Sequence, residues 1–175
     1  MNRNEPLVTG LFRDRDSAER AYRSVTDRGY TEDDVNLAMS DATRKQHFDA
    51  SGVGTETELG SKAAEGAGIG GAIGGSLGAI AAAIAAVGTT VALPGLGLVI
   101  AGPLAAAIAG AGAGAATGGI VGALIGWGIP EERVKRYDTG IREGGILMAV
   151  RPHNDEDAAA LERDWKTNHG EHVYR

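Results

Sequence analysis

Hydrophobic and polar positions change rhythm several times along the chain, and each rhythm predicts an element. Leu7-Val8-Thr9-Gly10-Leu11-Phe12 is an apolar run suited to a buried strand. Asp16 and Glu19 have the spacing of a capping box, after which Ala18, Ala21, Tyr22 and Val25 recur at helical intervals until Gly29 offers a stop. Val35, Leu37 and Met39 alternate strictly, the pattern of a half-buried strand. Toward the other end, Pro130 suits a first helical position, and Val134, Tyr137 and Ile141 space a helix that Gly144 and Gly145 can end. Ile146 to Val150 reads as a strand. Asn154 is an N-cap for a helix carrying Ala158, Leu161 and Trp165 inward, Gly170 closes it, and Val173-Tyr174 offers a last short strand.

Each end therefore reads strand, helix, strand. Two such units predict an α+β fold, a ferredoxin-like split domain in which they pair into a four-stranded antiparallel sheet with helices on one face. Each half has only about 40 residues, too few to hold a core alone, so 1–40 and 130–175 are expected to fold together, with 41–61 as connector.

The material between them has a period of four. Gly66, Gly70, Gly74 and Gly78 fall at that interval, as do Gly110, Gly114, Gly118, Gly122 and Gly126. On a helix, residues four apart lie nearly above one another, so each series predicts a groove along which another backbone can approach. Ile69, Ile73, Leu77, Ile80, Ile84, Val87 and Val91 step beside the first groove at threes and fours, and Leu93-Pro94-Gly95-Leu96-Gly97 supplies turn residues before Gly102-Pro103. The expectation is a Gly/Ala-rich helical hairpin over 62–129. Glycine inside a helix costs about 1 kcal/mol relative to alanine, so nine zipper glycines cost roughly 9 kcal/mol that close packing has to offset. Further glycines at 68, 71, 75, 112 and 119 widen the small face beyond one stripe, which predicts a homo-oligomer.

Charge sharpens this division. Residues 66–130 contain no Asp, Glu, Lys or Arg, so every charged side chain lies on one side or the other of that segment. Each predicted helix exceeds the roughly 20 residues needed to cross a bilayer. Lys62, Arg133, Lys135 and Arg136 flank the insertion and Trp127 sits near one end, so these five are candidate lipid-headgroup contacts. Two readings follow: a hairpin in the membrane with the α+β domain in the cytoplasm, or a soluble ring, shell or filament with the hairpins in a protein-only core. MNRNEP lacks the apolar core of a secretory signal, which points to the cytoplasm or the cytoplasmic face of the inner membrane.

Composition and motifs remove other classes. A net charge of -6 argues against nucleic acid as a partner, and the absence of cysteine removes thiolate chemistry. Gly66-Ala67-Gly68-Ile69-Gly70-Gly71 matches the dinucleotide fingerprint, but no strand precedes it and no acidic residue follows at the required distance. His169 and His172 flank a predicted helix stop without a third ligand, His47 and His153 stand alone, and Glu32-Asp33-Asp34 and Asp155-Glu156-Asp157 read as helix-start residues. No catalytic, cofactor-binding or metal-binding residue and no small-molecule substrate is expected.

LVTGLFRDRDSAERAYRSVTDRGYTEDDVNLAMS resembles the amino-terminal domain of the heat-induced general stress proteins of bacteria, the general-stress-protein 17M-like (YflT-type) group. LPGLGLVIAGPLAAAIAG and GIPEERVKRYDTGIREGGILMAV resemble parts of longer relatives with a glycine-rich insertion. The resemblance implies a stress-associated bacterial protein without a defined biochemical activity, and it brings no catalytic residues.

Overall fold

A computed structural model describes residues 7–48, 80, 90–93, 97–103, 105, 121–122, 124–125 and 128–175. The elements are β1 (Val8–Phe12), α1 (Arg15–Thr26), a 3-10 turn (Glu32–Asp34), β2 (Val35–Ser40), α2 (Asp41–His47), β3 (Thr90–Leu93), β4 (Leu98–Ala101), α3 (Glu131–Arg142), β5 (Ile146–Val150), α4 (Asp155–Thr167) and β6 (Glu171–Tyr174). The fold is α+β, built on one antiparallel sheet with strand order β3-β4-β2-β5-β1-β6. β5 lies between β1 and β2, and β1 between β5 and β6, so the two ends of the chain interleave in a single sheet.

This sheet differs from the expected one in two ways. Among the described residues it has six strands, because β3 and β4 join beside β2, and it is covered on both faces. The pleat explains the second difference. Val35, Leu37 and Met39 of β2 and Ile146, Met148 and Val150 of β5 share a core with α1 and α4. Their neighbours Ala38, Leu147 and Ala149 point into a second core with Val134, Tyr137 and Ile141 of α3. β1 and β5 are consequently buried at every position. Continuous apolar runs such as Ile146–Val150 are what a sheet buried on two sides requires.

Helix ends follow local chemistry, with shifts from the expected caps. α1 is capped by Asp14, whose carboxylate accepts from the Ser17 amide at 2.8 Å. The Asp16–Glu19 capping box does not form, and Glu19 is instead buried. Pro130 stands one residue earlier than expected, as the N-cap of α3. Asn154 caps α4 as expected, its side chain accepting from the Asp157 amide at 2.7 Å. Gly29 and Gly144, with φ of 86° and 97°, follow α1 and α3 in the left-handed conformation that a side chain would strain. The predicted connector starts with structure of its own, since Ser40 caps α2 by accepting from the Thr43 amide.

The largest correction concerns the centre of the insertion. The expected first helix runs through Val91 to Leu93, yet Thr90–Leu93 is a strand, and its partner is Leu98–Ala101 in register from Thr90 against Ala101 to Leu93 against Leu98. β4 in turn pairs with β2 from Leu98 against Ser40 to Ala101 against Leu37. Leu98-Val99-Ile100 is β-branched and aliphatic, favouring the pleated surface, while Gly97 (φ 60°) and Gly102 (φ 109°) bound it. Helical spacing in the preceding residues carried the expectation too far. Pro103 does open a helical turn, the Ala105 amide donating to the Gly102 carbonyl at 2.9 Å.

Candidate assembly surface

Residues on the two sides of the β3–β4 hairpin point to different cores. Ile80 is fully buried with α1 and α4, whereas Ala105, Leu124 and Ile129 belong to the core beneath α3. At these positions the two arms of the insertion lie on opposite faces of the sheet, not against each other as a helical hairpin requires. Ile80 is held by α1: its amide donates to the buried Glu19 carboxylate at 3.3 and 3.4 Å to the two oxygens. Reading Glu19 as a helix-start residue concealed this contact, since burial of an acid has no signature in a helical repeat.

Near its end the second arm exposes apolar side chains among the described residues. Val121, Gly122, Leu124 and Ile125 are helical, and the segment closes where the Gly128 amide donates to the Ile125 carbonyl and the Ile129 amide to that of Leu124. Gly128, at φ 86°, permits this closure. Leu124 is 1 % exposed, while Val121 and Ile125 are 37 % and 46 % exposed. With about 100° between successive helical residues, Gly122 projects roughly 160° away from the buried Leu124. A Cβ added to Gly122 meets no described atom within 4 Å. Of the predicted zipper glycines this is the one described; Gly66, Gly70, Gly74, Gly78, Gly110, Gly114, Gly118 and Gly126 lie outside the described residues.

The expected headgroup contacts separate. Lys62 and Trp127 lie outside the described residues. The Arg133 guanidinium stacks 4.2 Å over the Tyr174 ring, and Arg136 donates to the Tyr174 hydroxyl at 2.9 Å. Both arginines thus pin β6 to α3. Lys135 is exposed on the same helix. Beneath them Tyr137 is fully buried; its hydroxyl donates to the His172 carbonyl at 2.7 Å and lies 2.8 Å from the Thr9 hydroxyl. Burial pushes the Tyr137 phenol up to about 12, and does the same to Tyr22.

Tyr30 makes a second polar junction, donating to Asp157 at 2.9 Å and accepting from the His153 amide at the same distance while its ring stacks on that of His153. Burial raises its pKa as well. These bonds join the turn before β2 to the start of α4, which is a structural task. Asp155, Glu156 and Asp157 occupy the first turn of α4, and Glu32, Asp33 and Asp34 that of the 3-10 turn. His169 and His172 both adopt positive φ, at 62° and 49°. Among the described residues no group of three or more His, Asp or Glu could hold a metal, and no helix is long and apolar enough to cross a membrane. The fingerprint-like Gly66–Gly71 is outside the described residues.

No family model, curated protein or solved structure matches this chain.

Proposed function

We propose that this protein is a non-enzymatic self-assembling protein whose glycine-rich arms pack against other copies of the chain. The observation that carries the reading is the face formed by Val121, Gly122 and Ile125, turned outward from the core that receives Leu124. In the sequence, glycines recur in steps of four ahead of Gly122, at 118, 114 and 110. Ile80 and Leu124 serve opposite faces of the sheet, and on this reading the two glycine series take partners other than each other. A neighbouring copy can supply both, and the helix penalty of so many glycines is offset only by such close packing.

The stress-protein resemblance gives this assembly its setting, a bacterial stress response. The finer fold reading is a ferredoxin-like core: β2, β5, β1 and β6 lie side by side, linked as β1-α1-β2 and β5-α4-β6, with α3, β3 and β4 added to it.

Association with a bilayer is a second reading, favoured by the exposed apolar Val121 and Ile125 and by the exposed cation Lys135 on the following helix. A two-pass crossing fits poorly. β4 is paired to β2, so the turn between the arms lies on the domain's side. Residues 102–128 make at most about 40 Å of helix, against about 60 Å for crossing and returning.

Gly122→Leu tests the primary reading. Its site has room among the described residues and loses a glycine from a helix, so the fold should keep or gain stability, by about 1 kcal/mol at most. The assembly should nevertheless fall apart, as should that of Gly114→Leu or Gly118→Leu. Unchanged particle size in all three variants would exclude the glycine face as an interface. Flotation with anionic vesicles tests the second reading: recovery of wild-type protein with the vesicles supports it, and protein left at the bottom of the gradient excludes it.

A further inference from the structure

Four tyrosines are present, and they differ in what surrounds the hydroxyl. Tyr22, Tyr30 and Tyr137 are buried, and the hydroxyls of Tyr30 and Tyr137 donate to the Asp157 carboxylate and the His172 carbonyl. Tyr174, at the end of β6, is half-buried. Its oxygen accepts from Arg136 at 2.9 Å, its own proton has no acceptor among the described residues, and Arg133 covers a face of its ring. Neither arginine is ion-paired to a carboxylate among the described residues. Acids on β6 and α4 are engaged elsewhere, Glu171 by Arg13 and Glu162 by Lys166 and Arg175. Two guanidiniums, one on the phenolic oxygen and one on the ring, thus make that oxygen a place where a dianion is favoured.

We propose that Tyr174 is a phosphorylation site whose phosphate is received by Arg133 and Arg136. A protein tyrosine kinase supplies the group from ATP: the bond from the phenolic oxygen to the γ-phosphorus forms, the bond from that phosphorus to the oxygen bridging to the β-phosphorus breaks, ADP leaves, and the phenol proton passes to the kinase's base. The product carries a charge of about -2 at neutral pH and three acceptor oxygens, which matches two guanidiniums with donors to spare. Charge also separates Tyr174 from Tyr30, where a phosphate would face the Asp157 carboxylate. The consequence falls on β6. Its pairing with β1 shifts register between Thr9 and Leu11, and a phosphate held by α3 gives the strand a second, ionic attachment. The site is independent of assembly through the glycine face.

Full-length protein carrying phosphotyrosine at 174, introduced during synthesis, tests the docking. The amides of His172, Val173 and Tyr174 should exchange with deuterium about tenfold more slowly than in the unmodified protein, the effect of a charge-assisted bond. Arg133→Gln combined with Arg136→Gln should abolish that gain. If this double variant does not fold, salt takes its place: raising the ionic strength should return the phosphorylated wild type toward the unmodified rate. Unchanged or faster exchange on phosphorylation, or a gain that survives the arginine substitutions or high salt, overturns the proposal. Use of the site is read separately. Labelled ATP added to an extract of the cells that make the protein should transfer label to the wild type and not to Tyr174→Phe. Equal labelling of the two proteins, or none of either, overturns Tyr174 as the acceptor.

Discussion

Tyr137 illustrates how a single polar atom locates a helix. Its hydroxyl reaches the Thr9 side chain in β1 and the His172 carbonyl in β6, so α3 is fixed to two strands at a fully buried point. Tyr137→Phe keeps the ring but leaves those groups without a partner, and unfolding in urea should register a loss of about 1–2 kcal/mol. Burial also gives the phenol a pH signature. Tyr22 and Tyr137 are both pushed from about 10 to about 12, so their neutral forms are favoured in the folded protein. Their contribution is complete below pH 10 and is lost as pH rises toward 12, because the unfolded chain releases these protons first. Melting temperature should accordingly fall across that interval, and the fall should be shallower in Tyr137→Phe. Spacing alone placed Tyr137 on the inner face of its helix. It could not reveal the hydroxyl's partners, which are 128 and 35 residues away.

Local patterning reports which face of an element is apolar, but not which layer that face meets. Val35, Leu37 and Met39, the α4 positions Ala158, Leu161 and Trp165, and the Asn154 cap are where spacing placed them. The second core was legible only in the unbroken apolarity of Ile146–Val150, since a strand covered on one face tolerates polar alternate residues. The β3–β4 hairpin was hidden because Val91 falls in step with a helical ridge, and choosing between helix and strand there depended on the pairing that β2 offers to β4. Gly102 secures the exit from β4. It has φ 109°, and a Cβ at this position collides with the Val35 carbonyl, a backbone atom that cannot move aside cheaply. Gly102→Ala should cost about 1–3 kcal/mol through strain. Hydrogen exchange should show faster opening of Leu98–Ala101 than of Ile146–Val150; equal protection of both strands in the variant would show that Gly102 does not hold the hairpin in place.

For the whole molecule, the charge-free segment is the organising feature, and its position changes its meaning. Its centre is part of the sheet, and its described flanking residues serve both cores: Ile80 on one face, Ala105 and Leu124 on the other. At these residues the insertion contributes to both cores of the α+β domain. Of the candidate assembly site, the four-residue glycine register was visible in sequence, but not which way Gly122 faces, which Leu124 turned inward beside it supplies. The five candidate headgroup contacts were chosen by their positions near the insertion, a criterion blind to Arg133 and Arg136 serving Tyr174. The central claim is that copies associate through the outward glycine face, and light scattering of detergent-free wild type and Gly122→Leu measures it directly. The account predicts a wild-type mass at a multiple of 17.9 kDa and a smaller particle with an unchanged fold for the variant. A wild-type monomer at all concentrations, or identical masses for the two proteins, would contradict it.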